Sequence, residues 1–369
     1  MSNQQPATSH QPPAFLIGLL LSAILLSLGS CVVSQGQVLF LNFNMTPVPV
    51  FVPPATATPT PSATPLPPPI TATENILLLG SDQRPKEKMW RTDTIMVVAI
   101  DWTGQRVGVL SIPRDLYVEF PAHLGTRRIN TADYWGTVKK YPGGGIKLLQ
   151  DVISSTLGIP TQHYIRIQMQ GFPRIIDAVG GVTVTLPCPL YEFAPDGKDP
   201  NKLILWELPA GPQYLDGKTA LKYATFRYRT SDFDRARRQQ QLLLAVRDKA
   251  LQLNLLPQLP TLLQALQDTY STDLSLLDIV RLAGLAMRIR PENVHGRVLN
   301  DKVMEAFTSQ YGEAVLRIRD EKALREIIDS LFNGPTLREN AQKTARCLPP
   351  PKLTPTPTPT ATGTPESGG

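Results

Sequence analysis

At 369 residues, 42% of them hydrophobic, the chain is long enough to bury one sizeable core or two modest ones. Its net charge of +6 suits nucleic acid, an anionic membrane surface or a phosphorylated substrate, without choosing among them. Cys31, Cys188 and Cys347 form no CxxC pair, which excludes the common zinc and thiol-redox spacings.

The 36 prolines gather near the two ends and leave an ordinary globular sequence between them. After a short polar N-terminus at 1–13, residues 14–34 form an uncharged apolar run of bilayer-spanning length, which predicts a transmembrane helix. Leu28-Gly29-Ser30-Cys31 is similar to a lipobox, so a lipoprotein anchor at Cys31 is the alternative, although the basic residues that normally precede one are missing. Residues 35–73 are dense in Pro, Thr and Ala and predict a stiff, extended spacer, which the resemblance named below would place outside the cytoplasm. Residues 334–369, rich in the same residues, predict a disordered tail.

From 74 to 333, strand and helix signals alternate. Residues 75–79 are a short apolar run stopped by Gly80 and read as a buried strand. Residues 94–100 and 106–112 are β-rich runs on either side of the turn Asp101-Trp102-Thr103-Gly104, which predicts an antiparallel hairpin. A helix is expected at 146–157, stopped by Gly158 and Pro160, then a strand at 164–169, a helix at 172–179 and a strand at 182–186. A short helix at 217–223 leads into an expected strand at 224–228 and then a long helix. Helices at 274–287 and 322–332 flank a strand at 294–299. The sum is a single αβα domain with a mixed sheet between helices. Beyond Cys31, Cys188 and Cys347 remain, and both a disulfide between them and a pair of buried thiols are open.

Residues 226–241, FRYRTSDFDRARRQQQ, carry Arg227, Arg229, Arg235, Arg237 and Arg238. Guanidinium forks are the usual protein answer to phosphate or carboxylate. Arg235 and Gln239 continue at helical spacing into Leu242, Val246, Ala250 and Leu253, so they head an inward-facing stripe. Arg237 and Arg238 fall off that face and read as surface residues or partners of Asp234. Upstream, the hairpin makes a geometric prediction. Asp93 precedes its first strand and Arg114 follows its second, so both lie at one end, with Arg91 and Asp115. Asp82 and Arg84 follow the strand that stops at Leu79, where loops of α/β sheets build sites. Carboxylates and arginines together suit a pyrophosphate with Mg²⁺. The absence of GxxxxGK[ST] argues against a nucleoside triphosphate, and His10, His123, His163 and His295 form no catalytic or zinc pattern.

In order along the chain stand NILLLGSDQR at 75–84, RTDTIMVV at 91–98, LSIPRD at 110–115, RIN at 128–130, GIPTQHYIRI at 158–167, GFPRIIDAVGGVTV at 171–184 and the arginine-rich stretch. With these motifs the chain resembles the LytR-CpsA-Psr (LCP) family of bacterial cell-envelope proteins. The resemblance implies a membrane-anchored, extracytoplasmic phosphotransferase. Such an enzyme moves a glycopolymer from a polyprenyl-pyrophosphate carrier to peptidoglycan through a phosphodiester link, with pyrophosphate hydrolysis as a side activity. It implies Asp82 and Asp93 as Mg²⁺ ligands. Arg84, Arg91, Arg114, Arg227, Arg229, Arg235 and Gln239 would bind the pyrophosphate, and Asp93, Arg114 and Arg227 would act in catalysis. Asp93 is the candidate for activating the acceptor hydroxyl. The lipid would need an apolar tunnel, for which the helices at 146–157 and 242–253 supply candidate walls. Two other readings are a transcriptional attenuator and a non-catalytic binder of polyprenyl phosphate. No helix-turn-helix signature supports nucleic acid as a partner.

Overall fold

The computed structural model describes residues 66–83, 89–195, 199, 202–342 and 347–351. The span expected at 14–34 lies outside them, and no helix among the described residues is long and apolar enough to cross a membrane.

The chain opens with β1 (Glu74–Ser81), β2 (Thr92–Asp101) and β3 (Arg106–Ser111), followed by a small hairpin of β4 (Tyr117–Phe120) and β5 (Gly125–Arg128). Next come α1 (Ala132–Val138), α2 (Gly144–Leu157), β6 (His163–Gln168), α3 (Phe172–Ala178) and β7 (Val182–Leu186). A second hairpin of β8 (Leu190–Pro195) and β9 (Leu203–Leu208) precedes β10 (Gly211–Leu215), α4 (Gly217–Thr225) and the long α5 (Asp232–Gln252). The rest comprises α6 (Leu259–Ala265), β11 (Tyr270–Thr272), α7 (Leu276–Arg288), β12 (Val294–Val298), β13 (Met304–Thr308), β14 (Ala314–Ile318), α8 (Glu321–Asp329) and α9 (Leu337–Gln342).

Six strands form the central mixed sheet in the order β11-β6-β1-β2-β3-β12. The expected hairpin is there, pairing Asp101 with Arg106 and Met96 with Ser111. Its turn is held by the Asp101 carboxylate, which accepts from the Gly104 amide at 2.9 Å and from Arg106 Nε at 3.0 Å. Strand periodicity divides the core. Leu77, Leu79, Ile95, Val97 and Leu110 face α2 and α8, where Leu149, Val152, Ile153 and Ile328 complete one layer. Ile76, Met96, Ile100 and Val109 point the other way, toward Leu244, Leu285, Ile289 and Leu337 of α5, α7 and α9. A third cluster, with Val182, Val184, Leu215, Ala220 and Tyr223, binds β7, β10, α3 and α4 to Leu242 and Ala245 of α5.

Helix α5 therefore joins two cores. Ser231 caps it in a reciprocal capping box with Asp234. Three successive glutamines then fan outward in different directions. Gln239 donates to the Ala224 carbonyl at 3.1 Å. The fully buried Gln240 donates to Ser111 Oγ and to the Arg297 carbonyl, both at 2.8 Å, and accepts from Asn340 at 2.6 Å. Gln241 bonds the Tyr223 hydroxyl and donates to the Thr185 carbonyl at 2.6 Å.

Two expectations are corrected. Residues 224–228 are not a strand: α4 continues to Thr225, and 226–230 is an irregular connection. Its polar backbone groups are taken by side chains instead of a neighbouring strand. The Phe226 carbonyl accepts from Arg238, and the Arg229 amide donates to Glu192 at 3.0 Å. Nor does the ordered part stop at 333. Helix α9 packs Leu337 into the core, and Cys347 forms a disulfide with Cys188. The rest of the expected tail, at 343–346 and 352–369, lies outside the described residues.

Peptide mapping under non-reducing conditions should recover the peptides of Cys188 and Cys347 joined, and Cys347→Ser should lower the unfolding free energy by several kcal/mol. Closing a loop with a sequence separation of 159 is worth up to about 5 kcal/mol in the chain-entropy account. Asp216 caps α4 by accepting from the Thr219 amide at 2.7 Å, a bond that holds its carboxyl below the ordinary value of 3.8. Its stabilisation is complete above that unfolded value and is lost as pH falls through the lower folded one. Asp216→Ala should cost about 1 kcal/mol in urea unfolding at pH 7, and the difference should close in strong acid.

Candidate functional site

Where the second and third cores fail to close on each other, a cavity of about 720 Å³ opens between the sheet and α3, α4 and α5. Its walls are apolar, with Leu78, Met96 and Ile167 on the sheet side and Phe172, Leu243 and Val246 on the helical side. Asp93, Arg114, Arg227, Arg235 and Gln239 line it as well. Of the two helices expected as walls, α5 serves through Leu242, Leu243 and Val246, whereas α2 packs on the opposite face of the sheet as ordinary core.

Local backbone geometry puts Asp93 there. Gly80 pairs with Thr94 and Ser81 with Thr92, so the β1–β2 register slips by one residue and Asp93 is the extra one. By alternation it shares the parity of Ile95 and Val97, which face α2; the bulge frees it from that pattern. Arg114 Nη1 then meets Asp93 Oδ1 at 2.8 Å, as the hairpin argument requires. Asn130 Nδ2 donates to the same oxygen at 3.3 Å, and Arg235 Nη2 donates to the Asp93 carbonyl at 3.2 Å.

Arg235 is only 5% exposed and Leu242 3%, so the expected stripe faces inward at the start of α5, whereas Leu253 at its far end is 45% exposed. Its stabilising neighbour was not foreseen. Asp232 Oδ1 lies 2.8 Å from Arg235 Nη2, 3.6 Å from Arg114 Nε and 3.8 Å from Arg227 Nε. The available signal was Asp232 standing three residues before Arg235 in the first helical turn. Arg114 Nε also approaches Asp115 Oδ2 at 3.6 Å, and Arg128 Nε approaches Asp115 Oδ1 at 3.7 Å.

Burial shifts these groups in opposite senses. It acts to lower the Arg114 guanidinium, but Asp93, Asp115 and Asp232 outweigh it and the net shift is upward. Burial raises the Asp115 carboxyl, assisted by Asp232 and opposed by Arg114, Arg128 and Arg235. It lowers Arg235 against the pull of Asp232.

Other expected residues are placed elsewhere. Arg84 lies outside the described residues. Arg91 is exposed at the end of the sheet, where its amide donates to Asp82 Oδ1 at 2.5 Å and its carbonyl accepts from the Asp82 amide at 3.0 Å. Arg229 does not reach the cavity. Its guanidinium donates to the Pro349 carbonyl at 3.0 Å, beside the disulfide. Arg238, expected on the surface or as a partner of Asp234, is 7% exposed and sits between Glu192 Oε1 at 3.5 Å and Thr230 Oγ1 at 3.2 Å. Arg237 does pair with Asp234, at 2.7 Å.

No group of three or more His, Cys, Asp or Glu among the described residues is arranged to hold a metal. Mg²⁺ commonly takes only one or two carboxylates and completes its shell with phosphate oxygens and water. Asp93 meets that lesser demand from the wall of the cavity, whereas Asp82, at the same end of the sheet and bonded to the Arg91 amide, is not among the residues that line it.

Fold and site thus define a three-layer α/β protein with an apolar cavity ending in paired arginines and aspartates. Residues 60–333 match the LytR_cpsA_psr family, and the chain belongs to that family. It is 29% identical over 263 residues to the polyisoprenyl-teichoic acid–peptidoglycan teichoic acid transferase TagU of Enterococcus faecalis, covering 70% of this chain and 78% of that one. Identity to the regulatory protein MsrR of Staphylococcus aureus is 32% over 225 residues, covering 59% and 61%. Among solved structures, Bacillus subtilis TagV superposes with a TM-score of 0.57 at 22% identity, covering 74% of this chain and 99% of that one. TagT bound to LI-WTA gives 0.53 at 23% identity, covering 71% and 90%.

Glu192 is fully buried and Arg238 nearly so, so removing one charge strands the other. Glu192→Gln should lower stability by about 3 kcal/mol or more in chemical denaturation.

Proposed function

We propose that the protein is a membrane-anchored, extracytoplasmic phosphotransferase. It would move a glycopolymer from a polyprenyl-pyrophosphate carrier to peptidoglycan through a phosphodiester link. The observation that carries this reading is the joining, in one cavity of about 720 Å³, of apolar walls with Arg114, Arg227 and Arg235. An amphiphile with a long hydrocarbon chain and an anionic head needs that combination. The name of the Enterococcus faecalis relative, a polyisoprenyl-teichoic acid–peptidoglycan transferase, supports the same substrate classes. The Cys188–Cys347 disulfide supports an oxidising, extracytoplasmic setting, and the apolar run at 14–34 supports an N-terminal anchor.

In this mechanism the carrier chain lies against Met96, Leu243 and Val246, and Arg114, Arg227 and Arg235 take the non-bridging oxygens of the pyrophosphate. An acceptor hydroxyl attacks the phosphorus bearing the glycan. The bond from that phosphorus to the bridging oxygen breaks, and the carrier leaves as its monophosphate. Asp93, which lines the cavity, takes the hydroxyl proton. The guanidinium groups stabilise charge that grows on the leaving oxygens, the main contribution available in phosphoryl transfer. Asp82 and Asp93 would hold Mg²⁺, which when bound neutralises part of the phosphate charge. With Asp93 so shared, the Asp93→Asn protein distinguishes its roles: lost turnover with retained pyrophosphate binding marks the base.

The direct test incubates the protein with a polyprenyl-pyrophosphate glycan, Mg²⁺ and peptidoglycan fragments, and looks for a phosphodiester-linked product by mass spectrometry. Persistent failure to form that product would sink the reading. Arg235→Ala should reduce turnover by about 100-fold or more, as loss of a transition-state donor does elsewhere. Val246→Trp, which fills the apolar wall, should impair transfer from a long-chain carrier far more than from a geranyl one.

A further inference from the structure

Asp232 takes no part in the reaction just outlined, yet its carboxylate lies at the meeting point of the guanidinium groups. Arg114, Arg227 and Arg235 come from three segments: after β3, after α4, and the first turn of α5. All three approach the single oxygen Oδ1, at 3.6, 3.8 and 2.8 Å. None of these approaches has hydrogen-bond geometry, and Asp232 Oδ1, Arg114 Nε and Arg235 Nε are buried without a hydrogen-bond partner. A carboxylate that braces an arginine frequently forks to it through two parallel bonds, and Asp232 makes no such fork with Arg235. Asp232 supplies charge balance to three cations and directional bonding to none of them.

We propose that Asp232 is the resident counter-anion of the arginine fork, a positioning residue that holds the three side chains converged and yields its place to a phosphoryl oxygen. The proposal rests on the reading of this cavity as a pyrophosphate site and deepens it. Phosphate oxygens offer the donors acceptors in several directions, so exchange gains bonds that Asp232 does not make. Asp232 is also the first residue of a 21-residue helix, where the amide dipoles favour a carboxylate that has turned away from the fork. The exchange makes the site selective by charge. A headgroup with one negative charge only matches what it displaces, whereas a pyrophosphate brings a surplus.

Three measurements on the full-length protein test this. Calorimetric titration with inorganic pyrophosphate should show Asp232→Asn binding about tenfold more tightly than the wild type, the scale of one partly screened ion pair. Where the wild type binds measurably, equal or weaker binding by a folded Asp232→Asn protein overturns the proposal. Thermal unfolding at constant ionic strength provides a probe that does not depend on pyrophosphate. Sulfate should raise the midpoint of Asp232→Asn much more than that of the wild type, and identical responses overturn the counter-anion role. If the sulfate response appears but neither protein binds pyrophosphate, the counter-anion role stands and the pyrophosphate reading falls. Should Asp232→Asn fail to fold, wild-type crystals soaked in pyrophosphate decide. Phosphate oxygens on Arg114 and Arg235 with Asp232 withdrawn support exchange, and phosphate bound with Asp232 Oδ1 still beside Arg235 Nη2 overturns it.

Discussion

A guanidinium group stays charged wherever the fold puts it, so a buried one requires carboxylates and carbonyls gathered around it, and α5 begins with two such groups. Arg235 faces the cavity, with Asp232 and the Asp93 carbonyl beside it. Arg238 faces the other way, toward Glu192, Thr230 and the Phe226 carbonyl. Between them they fix the course of the 226–230 segment and the position of α5 against both cores. Replacing a buried ion pair by apolar residues is often neutral or stabilising, so such pairs do not by themselves account for net stability. What these two tie down is the register of α5. A rotation of α5 by one residue would move Arg235 off Asp93 and strand Arg238 away from Glu192.

The sheet makes the complementary contribution. An antiparallel β1–β2–β3 meander returns the chain repeatedly to one end, so residues distant in sequence meet without a long connection. The bulge at Asp93 then exempts one carboxylate from the alternation that governs the rest of β2. Regular pairing builds the walls of the cavity, and one local irregularity supplies its acid.

Much of this was legible in the sequence because it is periodic. The apolar runs of β1, β2 and β3 and the stripe of α5 follow from spacing alone, and the turn at Asp101 places Asp93 beside Arg114. What stayed hidden depends on contacts between distant residues. FRYR at 226–229 has the aromatic and alternating character of a strand, yet its hydrogen bonds go to Arg238 and Glu192, which no local window can show. Arg229 looks like a twin of Arg227, and only the position of Pro349 turns it away from the cavity. Helix α9 has a weak signal of its own and exists because Leu337 and Asn340 find partners near residues 240 and 296. Asp232 was overlooked because an acidic residue at a helix start has an ordinary explanation in the helix dipole.

The bond between Cys188 and Cys347 changes what kind of object the domain is. The stretch between them carries α4, α5 and the outer strand β12, so these elements lie inside a covalent loop, while β1, β2 and β3 lie before it. A single backbone cut anywhere in that loop leaves one molecule, with both fragments still joined at the sulfurs. In a compartment rich in proteases, damage to an exposed connection such as Pro209–Ala210, between β9 and β10, would not release the arginines of α5 from the sheet that carries their aspartate.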